Sequence, residues 1–167
     1  MTISANGYIA RENNSEDFLS HINWNVFVRI AEDIGCFVVG RKTYEIVKKF
    51  YTSGYNFDTV KAVRIVISNK PPYVPVKGYI FVKSPAAAIK KAKELGFKKL
   101  LLAGGGKTNS AFMKKELVDE VIFDVEPFVL GNGISVFAPQ KFEYKLKLLK
   151  AKTLKEGILQ IHYNVLR

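Results

Sequence analysis

The alternation of hydrophobic and polar positions changes period along this chain, and each change marks an element. From about Asn23 the apolar residues Trp24, Phe27, Val28, Ala31 and Ile34 recur at three- and four-residue steps, and Gly35 follows as a stop. That is the spacing of one face of an amphipathic helix. Cys36-Phe37-Val38-Val39 is apolar at every position, which predicts a short strand covered on both faces, as in a parallel sheet. Gly40-Arg41-Lys42-Thr43-Tyr44-Glu45 then opens a second helix. A polar, aromatic loop over residues 51–58 leads to a strand over residues 62–67, and Ser68-Asn69-Lys70-Pro71-Pro72 ends it, because proline lacks the N–H that a ladder needs. Residues 79–82 read as the next strand. Ser84-Pro85 caps a helix whose inner stripe is Ala88, Ile89, Ala92 and Leu95, with Gly96 as its stop.

The stretch Lys99-Leu100-Leu101-Leu102-Ala103-Gly104-Gly105-Gly106-Lys107-Thr108-Asn109-Ser110 predicts a buried strand, a tight turn and a helix running through Phe112, Met113 and Leu117. Residues without Cβ allow positive φ and close approach, and the free N–H groups of a helix start carry partial positive charge. Such a junction suits a phosphate; it also suits a turn that needs glycine for geometry alone. Gly106-Lys107-Thr108 matches the end of a Walker A loop, but Leu101 stands where that motif has its first glycine. The Gly40 junction repeats the same arrangement, so the chain offers two phosphate-suited helix starts.

After Glu120 the rhythm changes. Residues 121–130, 144–153 and 158–165 read as longer strands without helices between them, the last two joined at Lys155-Glu156-Gly157 as a hairpin. The expected fold is one α/β domain over residues 1–167, a mostly parallel twisted sheet flanked by helices with an antiparallel C-terminal hairpin.

Composition narrows the function classes. The chain has 167 residues, 48% of them hydrophobic, enough for one sizeable core. No apolar run approaches a membrane span and the start lacks a signal peptide's regions, so the expected location is the cytoplasm. One cysteine, Cys36, excludes an internal disulfide, and with two histidines, His21 and His162, no metal site is expected. The formal net charge of +11 favours anionic partners. The lysines Lys141, Lys145, Lys147, Lys150, Lys152 and Lys155 fall largely at alternate positions, the pattern of a solvated sheet face. No basic stretch is interleaved with aromatic residues, which speaks against nucleic acid. Trp24, Tyr44 and Tyr8 sit at core spacing, although each is also a candidate to stack on a ligand.

The motifs Ser4-Ala5-Asn6-Gly7-Tyr8-Ile9-Ala10, Gly40-Arg41-Lys42-Thr43-Tyr44-Glu45, Ser68-Asn69-Lys70, Gly104-Gly105-Gly106, Leu117-Val118-Asp119-Glu120 and Glu126-Pro127-Phe128-Val129-Leu130-Gly131-Asn132-Gly133 together resemble the dihydrofolate-reductase-like superfamily. Within it the chain is most similar to the reductase domain of riboflavin biosynthesis, the C-terminal half of the bifunctional deaminase-reductase, and its stand-alone relatives. The resemblance implies an NADPH-dependent reductase acting on a small molecule, a phosphoribosylamino-pyrimidine whose ribosyl group becomes a ribityl chain. It implies that Gly40, Arg41 and Thr43 hold the cofactor's pyrophosphate and adjoining phosphate. Ser68 and Asn69, with Lys70 near, would meet the 2′-phosphate. Gly104, Gly105, Gly106, Lys107, Thr108 and Asn109 would line the pyrophosphate and nicotinamide half, and Ile9 and Ala10 would meet the nicotinamide ring. A homodimer is expected, without nucleic acid or membrane as partner.

Three departures bear on the chemistry. Asn6 stands where riboflavin-type members usually carry an aspartate near the reacting sugar, so its expected catalytic role is hydrogen bonding. Trp24 and Asn25 stand where true dihydrofolate reductases place a carboxylate, which disfavours the alternative of pterin reduction; Glu16 or Asp17 could reach in from the preceding loop, or cap the helix. Met1-Thr2-Ile3 is shorter than the family's first strand, a central one. Either the start lies upstream or that strand is cut short, leaving backbone groups unpaired. A non-catalytic basic binding module is the remaining alternative.

Overall fold

The computed structural model describes residues 1–50, 55–70 and 76–167; part of the predicted 51–58 loop, and Pro71 and Pro72, lie outside them. The chain runs β1 (Thr2–Ser4), β2 (Tyr8–Ala10), α1 (His21–Ile34), β3 (Cys36–Gly40), α2 (Arg41–Phe50), β4 (Val63–Ile67), β5 (Tyr79–Val82), α3 (Pro85–Glu94), β6 (Leu101–Leu102), α4 (Gly106–Met113), β7 (Glu120–Glu126), β8 (Ile134–Ser135), β9 (Lys145–Thr153) and β10 (Leu159–Leu166). It gathers into two compact units, residues 25–108 and residues 1–24 with 109–167.

In residues 25–108 the uninterrupted apolar strands are buried as their composition requires. They form a wholly parallel sheet in the order β5-β4-β3-β6, and all five residues of β3 are buried. Phe37 is fully buried and meets the rings of Phe27 at 5.3 Å and Phe57 at 5.2 Å, an edge-on cluster of the kind aromatic quadrupoles favour. Arg64, a cation on inner strand β4, is held by carbonyls: its guanidinium donates to Phe57 O (2.6 Å), Asp58 O (2.9 Å), Val60 O (3.0 Å) and Gly78 O (3.1 Å). Its half-exposed guanidinium ties the segments before β4 and before β5 to this strand. Ser84 caps α3 as expected, its Oγ accepting from Ala87 N at 3.2 Å. β6 differs from expectation. It is two residues long and half-buried, because it pairs only with β3 and forms the edge of this sheet.

In the other unit, β1 pairs in parallel with β7, β7 antiparallel with β10, and β10 antiparallel with β9. The C-terminal hairpin is as predicted. β1 is an end strand of this sheet rather than a central one. The strand expected over residues 121–130 stops at Glu126, since Pro127 cannot donate to a ladder, and Phe128 N turns back to Glu126 O at 2.7 Å. β2 and β8 form a small antiparallel ladder that the sequence pattern did not mark. Gly133 permits it: a Cβ there would lie 2.6 Å from Ala10 O and 3.2 Å from the Tyr8 ring. The helix expected to reach Leu117 ends at Met113, where Glu116 takes φ +57° and Leu117 N bonds Phe112 O at 3.1 Å. No glycine advertises that stop.

The lysine pattern on β9 has a structural cause. The doubled Leu148-Leu149 would shift every later side chain to the opposite face. The register slips there instead, Leu148 facing Tyr163 and Lys150 facing His162, so Leu149 is bulged out and Lys145, Lys147, Lys150 and Lys152 share one face. The apolar alternates are not buried in turn: Leu146, Leu148 and Leu149 are exposed on this edge strand. Among the described residues no helix is long and apolar enough to cross a membrane.

Candidate functional site

Within residues 25–108 the two glycine-marked junctions are locked together. β3 ends at Gly40 and α2 starts at Arg41; β6 leads through Gly104 and Gly105 to α4 at Gly106. Gly40 N donates to Gly104 O at 2.8 Å, and Gly105 N donates to Thr43 Oγ1 at 2.9 Å. The Gly104–Gly105 peptide is cis, and Gly104 has φ +95°. A Cβ on Gly40 would overlap Thr108 Oγ1 and lie 3.5 Å from Thr108 Cβ; glycine is what lets these segments touch. The starts of two helices thus lie side by side. Each leaves backbone N–H groups without intrahelical acceptors and carries about +0.5 elementary charge. Thr43 accepts from Gly105, which leaves its own hydroxyl hydrogen free to donate.

Cations and amides surround this pair. Arg41, Lys42 and Lys107 are exposed; the Arg41 guanidinium spans both oxygens of Glu45, at 2.7 and 3.0 Å. At the end of β4, Ser68 is buried, with Oγ donating to Lys70 O (2.7 Å) and accepting from Lys70 N (3.1 Å). Its hydroxyl is spent on the turn, which presents Asn69 and Lys70 to solvent.

In the other unit, Asn6 follows β1 and clasps the segment after β7. Its Nδ2 donates to Leu130 O at 2.6 Å; its Oδ1 accepts from Leu130 N at 3.2 Å and from Ser4 Oγ at 2.8 Å. An amide meets a peptide group with both a donor and an acceptor at neutral pH, where a carboxylate only accepts. Asn6 therefore forms a pairing that an aspartate at this position would lose. Ile9 and Ala10 lie on β2, Ala10 buried. Asn109 on α4 is 2% exposed; its Nδ2 donates to Val136 O at 2.8 Å and its Oδ1 has no partner.

The sequence pattern placed Glu126 in the strand over residues 121–130 and gave it no role, yet its side chain is 5% exposed. Oε1 accepts from Ser20 N at 2.7 Å and from Asn23 Nδ2. The available signal was parity: Asp124 and Glu126, two apart on β7, are both buried, and Gln160 Nε2 bonds Asp124 at 2.7 Å. A buried carboxylate at a strand's end is unusual enough to mark a site.

Other candidates have structural partners or are buried in the core. Cys36 is buried, and burial pushes its thiol up to about 11, so it stays protonated and unreactive at neutral pH. Asp17 is paired with Arg11 at 2.6 Å, and that hydrogen bond lowers its pKa. His162 Nε2 meets Glu120 Oε2 at 2.8 Å. Tyr44 packs edge-on against Tyr79 at 4.9 Å and Phe81 at 5.7 Å. Among the described residues no cluster of three or more His, Cys, Asp or Glu could hold a metal.

The chain is 29% identical over 167 residues, 98% of its length and 94% of the relative's, to the uncharacterized protein YwjB of Bacillus subtilis. A protein from Shewanella sp. PV-4, whose crystal structure carries a provisional riboflavin-biosynthesis name, superposes with a TM-score of 0.84 at 24% identity, over 100% of this chain and 97% of that one. The Thermotoga maritima diaminohydroxyphosphoribosylaminopyrimidine deaminase/5-amino-6-(5-phosphoribosylamino)uracil reductase superposes with a TM-score of 0.72 at 14% identity, over 99% of this chain and 55% of that one. These structures share the α/β fold. The family model of the RibD C-terminal domain matches residues 1–160, and with the two linked glycine junctions in place the chain belongs to that family of riboflavin-pathway, reductase-like domains.

Proposed function

We propose that this protein is an NADPH-dependent reductase of the riboflavin-biosynthesis type, acting on a ribosylamino-pyrimidine or a related small heterocycle. The observation that carries the reading is the junction of Gly40 with Gly104, Gly105 and Thr108. It fits a dinucleotide's phosphate bridge: two positive helix starts, backbone free of Cβ between them, and a threonine hydroxyl left to donate. Gly40, Arg41 and Thr43 are assigned to the pyrophosphate and adjoining phosphate, as are Gly104, Gly105, Gly106, Lys107 and Thr108. Asn69 and Lys70 are assigned to the 2′-phosphate, with Ser68 shaping the turn that presents them. Ile9, Ala10 and Asn109 are assigned to the nicotinamide end; the unpaired Asn109 Oδ1 suits an amide donor there.

When bound, the cofactor supplies a hydride. The chain's own residues bind the phosphates, orient the ring and exclude water, so positioning is the catalytic device. Asn6, through Leu130 and Ser4, holds the segments on which the substrate end is built.

Titration of the protein with NADPH and NADH separately, followed by nicotinamide fluorescence, tests the reading. The expected result is NADPH binding at least about tenfold tighter than NADH, equivalent to about 1.4 kcal/mol. A folded protein that binds neither overturns it.

A further inference from the structure

β1 and β7 run parallel, and their carboxyl ends lie together, Ser4 opposite Glu126. Ligands of parallel sheets bind outside such ends. Here the Glu126 carboxylate is almost fully enclosed, and among the described residues no cation stands within ion-pair distance of it. Its Oε1 receives two neutral donors, the Ser20 N–H and the Asn23 amide. Asn23 is itself 5% exposed; its Nδ2 is engaged by Glu126 and by Ser20 O at 3.2 Å, and its Oδ1 has no partner. The first turn of α1 contains no acidic residue of its own, so Glu126 also faces that helix's positive end.

The local count is lopsided. Asn23 has spent its donors, and what remains is a carboxylate beside an orphaned amide oxygen, two acceptors together. A buried acceptor left unpaired is destabilising, and Asn23 Oδ1 is one. A group that brings two adjacent N–H donors pairs the amide oxygen and adds a donor to the carboxylate.

Resting on the reductase reading above, we infer that Glu126 and Asn23 form the recognition site for the substrate's ring: they accept the adjacent N–H donors of an amino-substituted pyrimidine. The sequence places no acid at Trp24 or Asn25; β7 brings one to the same helix start from 103 residues away. Asn23 Oδ1 is enclosed, so the ring reaches it when the segment before α1, tied to the carboxylate through Ser20 N, moves aside.

The test is calorimetric titration of the NADPH-saturated protein with 5,6-diaminouracil, which presents neighbouring N–H donors, and with uracil, which lacks the amino groups. Wild type is expected to prefer 5,6-diaminouracil at least tenfold. Glu126→Gln, which keeps shape and the acceptor for Ser20 N, is expected to lose that preference while its NADPH affinity stays within twofold. Asn23→Ala, which leaves the Ser20 bond to the carboxylate, is expected to weaken 5,6-diaminouracil binding three- to tenfold; it also decides the matter if the glutamine variant does not fold. A folded Glu126→Gln with unchanged preference, or a wild type that does not discriminate, overturns the inference and leaves Glu126 as a cap for α1. If wild type fails to bind NADPH, the reductase reading falls, and the same titrations without nucleotide still decide the role of Glu126.

Discussion

Gly40→Ala is the sharpest probe of the linked junctions. Gly40 is not at positive φ, so alanine meets no backbone strain; the whole effect comes from what its Cβ touches. That atom would overlap Thr108 Oγ1, with Thr108 Cβ at 3.5 Å and Gly104 O at 3.8 Å. Relief requires Thr108 to turn its hydroxyl away or the start of α4 to move off β3. Overpacking of this kind costs about 1–3 kcal/mol, and stretching the 2.8 Å bond from Gly40 N to Gly104 O adds about 1 kcal/mol. The expected loss is about 2–4 kcal/mol, or roughly 4–16 °C in Tm for a chain of this size. Because the close atom is a hydroxyl oxygen, Thr108→Ala should remove most of the clash, Cβ at 3.5 Å being ordinary contact. The assay is a double-mutant cycle by denaturant unfolding, with NADPH affinity followed in parallel. The pair Gly40→Ala/Thr108→Ala should be more stable than Gly40→Ala alone by at least about 1 kcal/mol. An alanine at position 40 that leaves Tm unchanged, or a loss that Thr108→Ala does not rescue, refutes the close-approach argument.

Two further substitutions read individual hydrogen bonds. Asn6→Asp should turn the 2.6 Å donation to Leu130 O into a contact between two acceptors, costing about 1–3 kcal/mol. The new carboxyl's folded pKa is then raised, so the loss should be small near pH 4, where it is protonated and can donate, and full near pH 7.5; equal stability loss at both pH values by urea unfolding would count against the amide clasp. Burial, and then the 2.6 Å bond to Asp58, raise the pKa of Tyr79 above its ordinary 10.0. A raised folded pKa contributes stability that is present below pH 10 and lost as pH rises beyond it. Tyr79→Phe should therefore cost about 1 kcal/mol at neutral pH and flatten the decline in Tm above pH 10; a parallel decline in both proteins would contradict this.

Much of the fold was legible because its causes are local. The apolar run Cys36-Phe37-Val38-Val39, the helical spacing from Trp24 to Ile34 and the Ser84-Pro85 cap each depend on residues a few positions apart, and each became the expected element. The two glycine turns at helix starts were legible for the same reason. Composition and motif order also carried the family. What the sequence left open were partnerships across long separations. Asn6 and Leu130 are 124 residues apart and Asn23 and Glu126 are 103 apart, so no periodicity could pair them. The linkage of the two glycine turns rests on contacts such as Gly105 with Thr43, 62 residues away. The Leu149 bulge follows from pairing with β10, and the early end of α4 from Glu116 adopting φ +57° without a glycine to announce it. Local spacing determined which segments became helices and strands; the tertiary structure decided which buried polar atoms found partners, because a hydrogen bond is satisfied by whatever folding brings within 3 Å, however distant in the chain.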